Sequence, residues 1–357
     1  MTIPDLSKPQ AISPTNGTNA PASENNSFDR RTLLMSSGAV LLAGAAYFGV
    51  KEYLSPTARV FIARGQRYDG PLVQTIADGL IATGIDTAWL RGKNVLLKPN
   101  LVEPTRRAPH LTTHPSVVVA TAEVFTRWGA VVTVGEAPGH VRDTEMALAE
   151  SQLGPALASA KIPFADLNYQ TTAWLPNHGK TCKLDGFHFP QAVVQADLIV
   201  SLPKLKTHHW AGITAAMKNM YGTIPGIRYG WPKNVLHYNG IPQTVHDINA
   251  SLPNTITVVD AITCMEGDGP IMGTPKQLGL ILVGTNPTAV DATAARIMGL
   301  RPEGVSYLQL AAGKLGPIAQ RHIEQRGESW QELVSPFEIL DVPHLRSLRD
   351  KPGVFVT

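Results

Sequence analysis

The chain alternates short uninterrupted apolar runs with longer stretches of helical period. In LVQTIADGLIAT the apolar positions 72, 73, 76, 77, 80 and 81 recur every three to four residues, which predicts a helix over 72–83. The runs at 59–64, 94–97, 131–134, 196–202, 255–259 and 278–283 are too short and too uniformly apolar for surface helices. They predict strands buried on both faces. Pro115 opens a helix that continues to Trp128, because proline at the first helical position lacks only an N–H that would have no helical partner. Further helices are expected at 144–161 with a break at Pro155, at 213–221, at 245–251, at 289–298 behind Asn286 and Pro287, and at 304–313. Apolar strands separated by helices imply an α/β fold: a mostly parallel sheet with helices on both faces. Residues 160–195 and 222–245 show no clear period and read as a small irregular or β-rich insertion, a sub-lobe over 160–245.

The first 50 residues break this rhythm. Residues 1–28 are dominated by Pro, Ser, Asn and Thr, so they cannot bury enough surface to offset their ordering entropy and are expected to be disordered. Arg30-Arg31 and Leu33-Leu34 then introduce a mild apolar run to Val50, interrupted by Ser36, Ser37, Gly38, Gly44 and Gly49. Residues 29–50 resemble a twin-arginine export signal, or the same segment retained as an anchor. The partner implied is the twin-arginine export machinery. The location implied is periplasmic, or membrane-anchored facing the periplasm, with membrane contact only through 33–50 if the segment is not cleaved. The remainder, 51–357, is one α/β body.

Composition narrows the chemistry. With 31 Lys and Arg against 28 Asp and Glu, the net charge is +3, too small for a nucleic-acid-binding stripe. Two cysteines, Cys182 and Cys264, exclude a four-cysteine zinc site and an intrinsic iron–sulfur cluster. They leave both a disulfide and two free thiols open. The N-terminal 50 residues carry Lys8, Arg30 and Arg31 against Asp5, Glu24 and Asp29 and cancel, so the excess lies in the body.

In open α/β sheets ligands bind beyond the carboxyl ends of the strands. Unusual polar residues gather there. Lys98-Pro99-Asn100 ends one apolar run, and Thr113 and His114 lead into the helix that Pro115 starts, a place suited to an anion or to a helix cap. Glu136 ends another run. Lys204, Lys206, His208 and His209 follow the 196–202 run, and Lys218 and Asn219 sit within the apolar helix expected at 213–221. Lysine in such a setting is rarely just solvated. Asp260 ends the 255–259 run, followed by Glu266 and Asp268 among Gly267, Gly269 and Gly273, whose small size permits close backbone approach to a ligand. Lys98, Asn100, Thr113, Lys204, Lys206, Lys218, Asn219, Gly267 and Gly269 are the candidate substrate-binding set. His208, Glu136, Asp260 and Glu266 are the candidates for moving a proton. His208, Asp260 and Glu266 also have the side chains of a divalent metal site, although their spacing fixes no geometry and the adjacent His208 and His209 should point apart.

The segments LLKPNLV, TTHP, VVTVGEAPG, ADLIVSLPKLKTH, GITAAMKNMYGTIPG, VVDAITCMEGDGP and NPTAVDATAARIMG run in order from about 94 to 299. Together they resemble the bacterial and archaeal family catalogued as domain of unknown function 362. The resemblance implies one α/β module and supports the map of strand-end residues, but supplies no substrate. Some relatives carry cysteine-rich iron–sulfur segments; this chain lacks those cysteines. The leading reading is an exported enzyme acting on a small phosphorylated or carboxylated substrate. A non-catalytic anion or metal binder, or an accessory protein of a redox or iron–sulfur partner, remains open.

Overall fold

The computed structural model describes residues 57–349 except 253, together with the backbone of 355 and 356. The expectations for residues 1–50 therefore lie outside the described residues. The strands are β1 Ala58–Ala63, β2 Asn94–Pro99, β3 Val131–Glu136, β4 Phe164–Asp166, β5 Thr172–Pro176, β6 Gly186–Pro190, β7 Leu198–Leu202, β8 Lys204–His208, β9 Gly212–Thr214, β10 Thr255–Glu266, β11 Thr274–Gly284, β12 Ile323–Gly327, β13 Ile339–Leu340 and β14 Phe355–Val356. The α-helices are α1 Leu72–Thr83, α2 Pro115–Arg127, α3 Thr144–Glu150, α4 Leu153–Ala160, α5 Gln191–Val194, α6 Ala216–Asn219, α7 Gly226–Tyr229, α8 Asn234–Tyr238, α9 Ile241–Ser251, α10 Pro287–Ile297 and α11 Ser306–Ala311.

The main sheet runs β12-β1-β11-β10-β7-β2-β3-β4, with β8 paired to β10 and β9 paired to β8. Strands β7, β2, β3 and β4 are parallel to their neighbours, whereas β11 is antiparallel to both β1 and β10. The fold is α/β with a mostly parallel sheet. Side-chain alternation explains the apolar runs. Val95 and Leu97 of β2 and Val200 and Leu202 of β7 pack with α1, α2 and α4 on one face. Leu96 and Ile199 between them face α9, α10 and α11 on the other. Both sides of each strand are dry, so no polar alternation remains. Strands β5 and β6 form a separate antiparallel pair within the irregular region.

Several boundaries differ from expectation. The 144–161 helix is broken at Ser151 and Gln152, with Gln152 in the left-handed region at φ 60°. Pro155 instead falls in the first turn of α4, where its missing N–H costs no helical bond. No helix spans 213–221. Gly212 at φ 83° turns the chain into β9, and a short α6 is followed by a 3-10 turn at Met220–Thr223. The 255–259 strand continues to Glu266, which places Asp260 in mid-strand rather than at a terminus. That extension is stable because Asp260 is charge-paired: β8 runs beside β10 with Lys204 opposite Asp260. Cys182 and Cys264 are both free, and Cys264 is buried in the core. Among the described residues no helix is long and apolar enough to cross a membrane.

Candidate functional site

The parallel strands end on one side of the sheet and deliver their last residues to a common centre. Lys98 leaves β2 and Glu136 leaves β3, and the two form a buried ion pair. Lys98 also donates to Asn219 Oδ1 at 3.1 Å. Asn219 in turn donates to the Lys98 carbonyl at 2.9 Å and to Ser201 Oγ at 3.1 Å, which ties α6 to β2 and β7. The start of α6 is anchored from behind by Asp291 of α10. Its carboxylate accepts from the N–H groups of Ala216 at 2.6 Å and Met217 at 3.1 Å, and from the Tyr307 hydroxyl at 2.9 Å. Gly222 lies against the ion pair so closely that a Cβ would collide with Glu136 Oε1 and Lys98 Nζ. Only glycine fits there.

In front of this centre lies a cavity of about 280 Å³. Lys206, Lys218 and Lys233 line it, with His140, His208, His209 and His237, and among the described residues Glu136 is the one carboxylate that lines it. Lys206 donates to the carbonyls of Leu111 at 2.9 Å and Pro270 at 3.3 Å. Lys233 donates to those of Ala137 at 2.8 Å and Tyr221 at 2.7 Å. Lys218 sets its ammonium over the Tyr221 ring, 3.9 Å from the centroid. Asn100 and Thr214 line the same cavity, and the buried Asn100 side-chain oxygen and Thr214 hydroxyl have no hydrogen-bond partner among the described residues. A buried polar atom left unpaired needs an explanation, and a ligand in the cavity supplies one for these two.

Burial governs the ionisation of this cleft. Loss of hydration pushes Lys218 down to about 7, reinforced by the charge of Lys98. It pushes Lys233 to about 7 against the pull of Glu136, and it lowers Lys206 well below the ordinary lysine range, helped by Lys204 and Lys218. Burial likewise holds His208 well below its usual value and His237 at about 4. For the Lys98–Glu136 pair burial lowers the lysine and raises the carboxyl, so both are drawn toward their neutral forms despite their mutual attraction. His208 Nδ1 accepts from the N–H groups of Trp210 at 3.1 Å and Ala211 at 3.3 Å. That leaves the proton of the neutral ring on Nε2.

Of the residues singled out in the sequence, Asn100, Glu136, Lys206, His208, Lys218 and Asn219 line the cleft, with Lys98 just behind it. His208 and His209 both line it, contrary to the expectation that neighbours point apart, because β8 ends at His208 and the chain turns there. Others are engaged elsewhere. Lys204 donates to Asp260 at 2.6 Å and to the Tyr68 hydroxyl at 2.9 Å, and Asp260 also accepts from the His114 N–H at 2.9 Å. Thr113 donates to the Leu202 carbonyl at 2.5 Å and accepts from the Asn100 N–H at 2.9 Å, while the His114 ring caps α2. Glu266 pairs with Lys276 at 2.8 Å and accepts from the Glu338 N–H at 3.0 Å. Gly267 and Gly269 shape the turn beside β8: Thr207 Oγ1 donates to the Gly267 carbonyl at 2.9 Å, and the His209 N–H donates to that of Gly269 at 2.8 Å. The trio His208, Asp260 and Glu266 does not converge, and among the described residues no three His, Cys, Asp or Glu side chains form a metal-binding group. His140, Thr214, Tyr221, Lys233, His237 and Pro270 are also among the lining residues and were not foreseen. For Lys233 the available signal was a lysine within Gly-Trp-Pro-Lys-Asn, a segment too irregular to be solvated helix. Lys233 adopts φ 70° and is buried.

Residues 95–296 match the model of the domain of unknown function DUF362, and the chain belongs to this family. It is similar to the thylakoid-associated protein sll1697 of Synechocystis sp., with 27% identity over 250 residues covering 68% of this chain and 75% of that protein. It also bears a distant likeness to the lactate racemase apoprotein from Thermoanaerobacterium thermosaccharolyticum. There the identity is 14% and the TM-score 0.43, and the match covers 68% of this chain but only 57% of the racemase. At that level the likeness bears on neither reaction nor substrate.

Proposed function

We propose that this protein is an exported enzyme whose cleft takes a small phosphorylated or carboxylated substrate. One observation carries the reading: among the described residues three lysines, Lys206, Lys218 and Lys233, line one cavity with a single carboxylate, and that carboxylate is already paired with Lys98. Buried ammonium groups without counter-charges are unfavourable, so an anion that supplies the missing charge is bound strongly. The hydroxyl of Thr214 is available to donate to such an anion, and Asn100 Oδ1 to accept from a substrate hydroxyl or amine. Glu136 is the group placed to move a proton, since burial raises its carboxyl toward the acid form. Burial keeps the His208 ring neutral with its proton on Nε2, so it offers a substrate a hydrogen bond.

The test is thermal unfolding of the protein in the presence of sulfate and of inorganic phosphate. Both anions should raise Tm, and Lys206→Met and Lys233→Met should each lose most of that increment. Equal stabilisation of wild type and both variants would show that the anion binds elsewhere. Export rests on Arg30-Arg31 ahead of the mild apolar run. Replacing both arginines with lysine should retain the protein in the cytoplasm, and unchanged export would remove that part of the reading.

A further inference from the structure

The lysines of this region differ in one respect. Lys98, Lys204, Lys206 and Lys233 each donate to named oxygens: Lys98 to Glu136 and Asn219, Lys204 to Asp260 and Tyr68, Lys206 and Lys233 to backbone carbonyls. Lys218 donates no hydrogen bond among the described residues. Its amine faces the Tyr221 ring instead, and the side chain lines the cavity. It is central as well, since its charge contributes to the depression of Lys206, His208, Lys233 and His237. Burial and the charge of Lys98 disfavour the ammonium while the Tyr221 ring face favours it, and with no acceptor to hold it the amine reaches its free form near neutral pH. A free amine at neutral pH is a nucleophile.

We infer that Lys218 is a nucleophile that forms an imine with the carbonyl carbon of an anionic substrate, a 2-oxo acid or a phosphorylated aldehyde or ketone. The inference rests on the anion cleft proposed above and names the substrate class for it. The anionic group sits against Lys206 and Lys233, which brings the carbonyl to Lys218. The Lys218 nitrogen lone pair attacks the carbonyl carbon. The C–N bond forms as the carbonyl π pair moves to oxygen, and that oxygen takes a proton from a neighbouring ammonium. The attacking nitrogen gives one proton back to that neighbour. The re-formed ammonium protonates the hydroxyl, which leaves as water as the nitrogen lone pair closes the C=N bond, and the nitrogen returns its last proton to the same neighbour. The balance is amine plus carbonyl giving imine plus water, with nothing oxidised or reduced. Lys218 titrates at about 7, so about half of it is free amine at neutral pH, against roughly one in a thousand for an ordinary lysine.

The experiment incubates the full-length protein with pyruvate and sodium cyanoborohydride at neutral pH and maps the reduced adduct by peptide mass spectrometry. The adduct should form on Lys218 at least about tenfold faster than on exposed Lys314, as expected for an activated amine, and sulfate should slow it. The Lys218→Arg variant, checked for folding by its Tm, should give no adduct at that position. If it does not fold, the map of the wild type decides. Sulfate-induced stabilisation of the wild type is read in parallel. Stabilisation without preferential labelling of Lys218 overturns the nucleophile and leaves the anion cleft standing. Labelling of Lys218 without sulfate stabilisation supports the nucleophile and overturns the anion cleft. Neither result removes both.

Discussion

Binding of an anion to this cleft should draw protons from solution. Lys218 and Lys233 titrate at about 7 in the free protein, mainly because burial strips their hydration. An ordinary lysine titrates at about 10.4. Sulfate has no carbonyl to place at Lys218, so it can sit against both and return them toward that value, unlike a substrate whose anionic group stays on Lys206 and Lys233. The bound-state pKa then lies above the free-state one, so affinity is fully expressed below pH 7 and is lost as pH rises above it. Between pH 6 and pH 8 the charged fraction of each free lysine falls from about nine-tenths to about one-tenth. That is about tenfold in affinity per lysine and up to about 100-fold for the two, or about 2.7 kcal/mol. Lys206, depressed by burial and by Lys204, pushes in the same direction. Sulfate is the suitable probe because it exchanges no proton in this range. Isothermal titration at pH 6, 7 and 8, in two buffers of different ionisation enthalpy, reads both quantities. The expected result is a steep loss of affinity with uptake of nearly two protons at pH 8. A flat affinity, or release of protons, would refute the assignment of Lys218 and Lys233 to the anion.

Other consequences concern the scaffold. Gly222→Ala drives a methyl into the Lys98–Glu136 pair and should cost about 1–3 kcal/mol, seen as a lower Tm, with loss of the sulfate response. Asp291 is raised by burial to about 7, above its ordinary value near 4, so its contribution to stability is present at low pH and is lost as pH rises through 7. Chemical denaturation of the wild type between pH 4 and 7 should show that decline, and Asp291→Asn should flatten it; an identical slope in the variant would place the titration elsewhere. Asn100→Ala removes an acceptor that has no partner in the free protein, so urea denaturation should change by less than about 1 kcal/mol while ligand affinity drops.

Much of the scaffold was legible because local and global signals agree. The 72–83 stripe is α1 to the residue, and Asn286 caps α10 by accepting from the Ala289 N–H. Lys98, Glu136 and Lys206 were visible as polar residues at or just beyond the ends of apolar runs, and Lys218 and Asn219 as polar residues within an apolar segment. The failures share a cause: long-range pairing that no local pattern carries. Lys204 and Asp260 each looked like a strand end, yet each satisfies the other, which lets β8 and β10 bury charges in mid-sheet. Lys233 and His237 reach the cleft through turns and short helices with no hydrophobic period, so nothing in their neighbourhood announced the approach. The short α6 depends on Asp291, distant in sequence, to hold its first N–H groups.

The central claim is that this cleft is built for an anion, and anomalous diffraction from crystals soaked in selenate tests it most directly. Selenate is a tetrahedral dianion of nearly sulfate size, and its selenium can be located without bias. The account predicts an anomalous peak inside the cavity, within hydrogen-bonding distance of Lys206, Lys218 and Lys233. Selenate bound only on the outer surface, with the cavity unchanged at saturating concentration, would contradict it.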